Sequence, residues 1–574
     1  MAELTKERAL YTQWLEAVAD QPGYRAELEA IAQNDDEILD RFYRGLAFGT
    51  AGLRGVLGLG TNRMNVYTVR RVTQGFAQYL KETAASPTVA IAYDSRNNST
   101  LFAQETARVF AANGIRVWLY EELMPTPALS YAVRELHCDA GVVITASHNP
   151  AKYNGYKTYG GDGCQIGPVE AERISQLSEQ VDYFTGVTLM TLEDAVAQGL
   201  VQYIPESFVQ KYLDRVYEEA IQPEAGAKAG LKLIYTPLNG AGRRCVTSIL
   251  AKMGIADVAI VAEQEQPDGN FPTCPYPNPE LPEALALGLA LCKEKQADLL
   301  LATDPDCDRV AVAVPKNDGD YQILTGNEVG VLLLDYIATA RKAKGTLPQS
   351  PVAVKSIVST KLADAVAKGH GVELVDVLTG FKFIGEVIYG LEQKGQPERF
   401  IFGFEESCGY LSGPFVRDKD AVNASLLLVE MASAYKLAGQ SLLNRLEEIY
   451  SRYGVYVNHV SSFDFDGADG MRRMDAIMEN LRTQPPAIIA GFGVDAVTDY
   501  QTSTKIEKGA ASPIALPKSN VLEYGLDNGC TVIVRPSGTE PKIKVYYSFV
   551  APSRAEIAQL KESICVYCEA MIGV

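Results

Sequence analysis

Asp304, Asp306 and Asp308 stand at alternate positions in Asp304-Pro305-Asp306-Cys307-Asp308-Arg309, between the apolar runs at residues 297–302 and 310–314. Three carboxylates this close repel one another unless a cation sits among them. An all-oxygen donor set at this spacing suits a hard divalent metal, Mg2+ above all. An EF-hand loop is excluded, because its sixth position, counted from Asp304, is Arg309 and its twelfth is Pro315. A second hexapeptide, Thr145-Ala146-Ser147-His148-Asn149-Pro150, follows residues 140–144, a run of small and β-branched residues that reads as a buried strand. Strand, polar residues and then Pro150 put the Ser147 hydroxyl on a loop at a strand end, where open α/β sheets place chemistry. A free serine is a weak nucleophile and needs a base or a metal beside it. No Gly-x-Ser-x-Gly elbow surrounds Ser147, which argues against an esterase.

Three further stretches carry ligand-binding residue types. Gly403-Phe404-Glu405-Glu406-Ser407-Cys408-Gly409 presents two carboxylates and a hydroxyl between glycines; such a set orients a hydroxyl-rich ligand such as a sugar, or is an ordinary surface turn. Arg535, Ser537, Gly538, Thr539 and Lys542 offer a guanidinium, two hydroxyls, a glycine N–H and an ammonium, enough to wrap one phosphate. Each charge-assisted hydrogen bond there is worth about 1.5–3 kcal/mol. Arg54 sits among Gly49, Gly52 and Gly55, a loop that permits tight turns and close approach to a ligand.

The elements that position these loops show a faint repeat. Residues 89–93 run into Asp94-Ser95-Arg96, residues 231–235 into Thr236-Pro237-Leu238-Asn239-Gly240, and residues 351–355 lead to Ser359-Thr360. Each is a strand with a polar end followed by a helix-like stretch, recurring after 142 and then 120 residues, as expected of three related α/β units. Residues 1–45 read as helical, with Trp14 and Leu15 on an apolar stripe. From about residue 455 strands and helices no longer alternate, which predicts a small α+β terminal domain. The fold class is thus α/β, in four domains: 1–205, 206–325, 326–453 and 454–574.

At 574 residues the chain exceeds a single core. Its formal net charge of -18 argues against a nucleic-acid surface. No apolar run approaches the roughly 20 residues of a membrane span. The N-terminus opens a charged amphipathic helix rather than a signal peptide. Of ten cysteines only Cys565 and Cys568 form a CxxC pair; with no second pair and no thioredoxin-like context, chance placement is expected, and the thiols read as free in a reducing cytoplasm.

Taken in order, the four loops resemble those of the α-D-phosphohexomutase superfamily over about residues 45–550. Tyr153-Asn154-Gly155-Tyr156-Lys157 and Thr379-Gly380-Phe381-Lys382 match the same pattern. The resemblance implies four domains around a central cleft, each giving one loop. It implies an isomerase, an intramolecular phosphotransferase in which phosphorylated Ser147 exchanges its phosphoryl group with a sugar phosphate. The catalytic set would be Ser147, His148, Lys157 and Arg309, with Mg2+ on Asp304, Asp306, Asp308 and the Ser147 group. Sugar contacts would come from Arg54, Thr379, Gly380, Lys382, Glu405, Glu406, Ser407, Arg417 and Lys419. Arg535, Ser537, Gly538, Thr539 and Lys542 would hold the phosphate that is not reacting. The Glu405-Glu406-Ser407 form resembles the glucose-type sugar loop, implying glucose 1-phosphate and glucose 6-phosphate as substrates and glucose 1,6-bisphosphate as intermediate and activator. Residues 49–55 and 415–420 resemble the longer branch that also contains pentose-phosphate enzymes, so mannose and pentose phosphates stay open. One competitor remains: Asp306-Cys307-Asp308-Arg309-Val310 also fits the nucleophile loop of haloacid-dehalogenase-type phosphotransferases, with Asp306 phosphorylated and Ser147 incidental.

Overall fold

Strands β1 (Gly52–Val56), β2 (Thr88–Tyr93), β3 (Arg116–Leu119), β4 (Ala140–Ile144), β5 (Tyr153–Gly160) and β6 (Val201–Tyr203) form the first sheet of the computed structural model, in the order β1-β5-β4-β2-β3-β6. The described residues are 4–49, 52–465, 470–537 and 542–573. A second sheet contains β7 (Lys232–Thr236), β8 (Asp257–Ile260), β9 (Leu299–Thr303), β10 (Val310–Pro315) and β11 (Tyr321–Leu324), ordered β11-β10-β9-β7-β8. The third sheet has β12 (Val352–Ser356) between β13 (Glu373–Val377) and β14 (Phe400–Glu405).

The faint sequence repeat is a topological one. Each sheet has a parallel trio whose first strand lies in the middle: β3-β2-β4, β8-β7-β9 and β13-β12-β14. Helices Ser99–Ala112, Gly242–Lys252 and Leu362–His370 follow the three middle strands. Parallel strands covered on both faces read as continuous apolar runs rather than alternating ones. β4, β9 and β12 accordingly bury every residue.

The last sheet is antiparallel, in the order Val455–Asp464, Lys542–Ala551, Thr531–Pro536, Leu522–Leu526, Phe492–Asp499, Thr504–Glu507, Ala510–Pro513. Helices Gly470–Thr483 and Arg554–Ile572 accompany it, the latter capped by Ser553, whose hydroxyl accepts from the Glu556 N–H. At the other end, helices Leu4–Ala17, Pro22–Glu29 and Asp35–Phe42 are pinned by Trp14, whose ring meets Phe42, Tyr67 and Phe184 edge-on. All ten cysteines are free, Cys565 and Cys568 included, and only Cys565 is not buried. Among the described residues no helix is long and apolar enough to cross a membrane.

The chain divides into two compact units. The first comprises Met1–Leu324, Gly385–Glu398 and Gly409–Leu437; the second comprises Thr325–Ile384, Arg399–Cys408 and Ala438–Val574. Residues 409–437 therefore group with the first two sheets and not with their sequence neighbours in 326–453. The reason is visible in their contacts: the Ala421 N–H donates to the Cys307 carbonyl, Tyr212 donates to Asp420 at 2.8 Å, and Lys419 reaches Asp308.

Candidate active site

Ser147 stands three residues past β4, buried, with a left-handed φ of 52°. Its N–H donates to Thr145 Oγ1 at 2.8 Å. Its hydroxyl donates to Asp304 Oδ2 at 3.1 Å and lies 3.1 Å from His148 Nδ1. Burial first, then the charges of Arg309 and Arg54, push the His148 imidazole well below its ordinary pKa. Both causes disfavour the protonated ring, so the neutral imidazole is the favoured form.

Asp304, Asp306 and Asp308 occupy the turn from β9 to antiparallel β10, all three buried, with one carboxylate oxygen of each within 4.8 Å of the others. The Asp308 and Arg309 N–H groups donate to Asp304 Oδ1 at 3.1 and 3.0 Å. Lys157 Nζ stands 2.8 Å from Asp306 and 3.6 Å from Asp308, and Lys419 Nζ 2.7 Å from Asp308. Burial, followed by the neighbouring charges of Asp306 and Asp308, raises the Asp304 carboxyl well above the usual range. Burial works the same way on Asp306, but Lys157 and then Lys419 outweigh it and hold that carboxyl low. Asp306 Oδ1 and Asp308 Oδ1 are buried with no hydrogen-bond partner among the described residues. Orphaned anionic oxygens in a closely spaced all-carboxylate set are what a hard divalent cation requires, so these residues fit a metal.

Two residues central to this geometry carried no role in the sequence. Thr126 opens helix Thr126–Glu135, donating its N–H to the Asp306 carbonyl at 2.8 Å and its hydroxyl to Asp306 Oδ2 at 3.0 Å. Arg96 is buried beneath the Ser147 loop and donates to its carbonyls. The only sequence signal for Arg96 was the polar end of a repeated strand; Thr126 had none.

The remaining cationic residues divide. Arg309 faces Glu280 at 2.6 Å and lies 3.9 Å from Asp308. Exposed Arg54 donates to Asn149 Oδ1 at 3.2 Å, beside the serine loop. Arg417, expected at the sugar, is instead fully buried: its guanidinium meets Glu392 and the carbonyls of Pro414 and Val416. Glu392 also binds Arg134 at 2.8 Å, so part of the Arg417 guanidinium holds its own loop.

In the second unit Glu405 accepts the Gly380 N–H at 2.7 Å, Gly380 having φ 123°. Glu406 accepts from the Ser356 hydroxyl at 3.0 Å and from Ser359 at 3.4 Å. Ser407 is half-buried, and Thr379 Oγ1 is buried without a hydrogen-bond partner among the described residues. The Lys382 ammonium lies over the Phe383 ring at 5.1 Å. Burial raises the Tyr546 phenol, Glu406 and Glu405 add to this, and Arg535 opposes it; all three charges thus surround one ring. The Ser537 N–H donates to the Lys542 carbonyl at 2.7 Å, and Lys542 Nζ pairs with Asp464 at 3.2 Å. Gly538 and Thr539 lie outside the described residues.

The chain matches the family descriptions "Phosphoglucomutase/phosphomannomutase, alpha/beta/alpha domain I" over residues 45–184, domain II over 210–319, domain III over 325–453 and the C-terminal domain over 493–565. It is 39% identical over 534 residues to a phosphoglucomutase of Staphylococcus aureus (strain USA300), covering 92% of this chain and 94% of that one. Among solved structures, the fold is shared with Paramecium pp63/parafusin, a phosphoglucomutase in open form (TM-score 0.70, 17% identity, 92% of this chain and 95% of that one). It is also shared with a phosphoglucomutase/phosphomannomutase family protein from Burkholderia thailandensis (TM-score 0.66, 18% identity, 92% and 97%). A serine hydroxyl set against a buried carboxylate triad, in a chain that matches all four domains in order, leaves one conclusion: it belongs to the phosphoglucomutase/phosphomannomutase family.

Proposed function

We propose that the chain is an isomerase that interconverts glucose 1-phosphate and glucose 6-phosphate through a phosphoserine at Ser147 and a bound glucose 1,6-bisphosphate. The observation that carries this reading is the Ser147 hydroxyl, 3.1 Å from both Asp304 and the neutral His148 imidazole. Asp304, Asp306 and Asp308 would hold Mg2+, which when bound supplies positive charge against the phosphoryl oxygens on the serine side.

As the phosphoryl group leaves Ser147 Oγ for a free sugar hydroxyl, that hydroxyl's proton ends on Oγ; when the second phosphate returns, neutral His148 Nδ1, beside Oγ, can take the serine proton and pass it on to the departing sugar oxygen. Lys157, held by Asp306 and Asp308, and Arg309 add positive charge around the transferring group. Glu405 and Ser407 would take the sugar hydroxyls. Arg535 and Ser537, with Gly538 and Thr539, would take the idle phosphate and supply binding energy that orients the reacting end. Buried free thiols fit a cytoplasmic setting.

Incubation with glucose 1,6-bisphosphate labelled at phosphorus, followed by peptide mapping, tests the assignment. Label on Ser147 is expected. Label on Asp306, with Ser147→Ala still active, replaces the mutase with a metal-dependent phosphatase. Parallel kinetics with glucose 1-phosphate, mannose 1-phosphate and ribose 1-phosphate test the sugar preference.

A further inference from the structure

We infer that Arg96 is a positioning residue for phosphoryl transfer at Ser147: from beneath, it fixes the loop that carries the nucleophile. This rests on the mutase reading, and deepens it. The guanidinium donates through Nη1 to the carbonyls of Pro150 at 3.0 Å and Tyr153 at 3.2 Å, and through Nη2 to those of Ser147 and Asn149. Four carbonyls of one seven-residue stretch are thus gathered on a single side chain with no solvent exposure.

The loop needs such a partner. Ser147 turns the chain through the left-handed region and Pro150 follows; the Pro150 carbonyl also accepts the Tyr153 N–H at 3.0 Å, but among the described residues no backbone N–H reaches the Ser147 or Asn149 carbonyl. A buried carbonyl without a donor is costly. Arginine alone offers five N–H donors in a rigid plane; lysine is a point charge on a flexible stem.

Arg96 is itself fixed from two sides. Asp94 Oδ2 lies 3.4 Å from its Nε, and Asp94 Oδ1 accepts the Arg96 N–H at 2.9 Å and the Ser99 hydroxyl at 2.8 Å. Asp94 Oδ2 also accepts the Thr145 hydroxyl at 2.6 Å, and Thr145 Oγ1 accepts the Ser147 N–H. One carboxylate therefore ties the guanidinium to the nucleophile's own amide. On the other side the Phe271 ring lies 5.0 Å from the guanidinium carbon, and Asn97 donates to Asn270 at 2.9 Å. A Cβ on Gly269 would meet the Asn97 nitrogen at 2.3 Å, which shows how tightly this second segment is pressed on. Arg96 touches no reacting atom; its effect is on where Ser147 Oγ points.

The test uses the full-length protein with Arg96→Lys and Arg96→Ala. Single-turnover transfer between labelled glucose 1,6-bisphosphate and Ser147 is read beside the Kd for glucose 6-phosphate. Arg96→Lys should transfer about 10²-fold more slowly, the scale of a misplacement near 1 Å, with Kd changed by less than about threefold because no ligand contact is removed. Free guanidinium ion should restore transfer in Arg96→Ala. A folded Arg96→Lys that labels Ser147 at the wild-type rate overturns the inference, as does a rate and a Kd that worsen by the same factor. If Arg96→Ala does not fold, the lysine variant decides alone. A wild type that places no label on Ser147 instead refutes the mutase reading, and the inference with it.

Discussion

Alanine and glycine at position 147 separate the serine's chemistry from its backbone. Both substitutions delete Oγ, so both lose the hydrogen bond to Asp304 and the nucleophile, and both should be inactive. They differ only in Cβ. At φ 52° an L-residue carries a cost of about 1–2 kcal/mol relative to glycine. Glycine gives back about 0.5–1 kcal/mol through its greater loss of backbone freedom on folding. The Arg96 hydrogen bonds hold the loop in place whichever residue stands at 147, so the strain in alanine cannot relax. Ser147→Gly should therefore be more stable than Ser147→Ala by about 0.5–1 kcal/mol, or about 1 °C in Tm for a unit of this size. Wild type should stay above both, because a buried hydroxyl bonded to a carboxylate contributes about 1.5–3 kcal/mol. Scanning calorimetry of the three proteins, with phosphoserine labelling to verify inactivity, measures it. An alanine variant as stable as the glycine variant would refute the claim that the nucleophile sits in a strained turn imposed by its surroundings.

Two further outcomes are expected. Arg535→Ala should raise KM for both glucose 1-phosphate and glucose 6-phosphate and lower kcat, while labelling of Ser147 survives; unchanged steady-state kinetics would leave residues 535–542 as a turn. Burial pushes the Asp420 carboxyl up to about 6, so its contribution to stability is greatest below its unfolded pKa near 4 and is lost as pH rises through 6, by at most about 3 kcal/mol. Asp420→Asn, which keeps an acceptor for the Val422 and Asn423 N–H groups, should gain in Tm over wild type as pH rises from about 4 to 6 and hold that gain above; a difference independent of pH across this window would refute this.

The candidate loops could be singled out because their residue types are unusual and local: three aspartates in five residues, a serine between a buried strand and a proline. The parallel strands were legible for a related reason, since burial on both faces writes an unbroken apolar run. The exposed hairpin Thr504–Glu507 and Ala510–Pro513 wrote none, its Lys505, Glu507 and Ser512 masking any alternation, and it went unread. For Arg417 the sequence shows a charge and not its direction; the guanidinium meets Glu392 and carbonyls of its own loop. Arg96 and Thr126 act on groups 51 and 180 residues away, a relation no local pattern encodes.

The trio order explains why the same division of labour recurs. With the first strand in the middle and the third beside it, the loops at their C-terminal ends emerge about 5 Å apart and must pack on each other. In the first sheet the loop after β2 supplies Arg96 to the loop after β4. In the second the Ala241 N–H, after β7, donates to the Pro305 carbonyl at 2.8 Å, and a Cβ on Gly240 would strike Pro305 Cα at 2.5 Å. In the third Ser356 and Ser359, at the end of β12, hold Glu406 after β14. Each supported loop contains one non-glycine residue in the left-handed region: Ser147 at 52°, Cys307 at 52° and Cys408 at 61°. A turn that tight points side chains out of the strand end at a cost of about 1–2 kcal/mol, and in each sheet the adjacent loop is hydrogen-bonded to it. Strained loop and supporting loop are therefore one unit, repeated three times. Ser147, the carboxylate triad and Glu406 are three fillings of the same position.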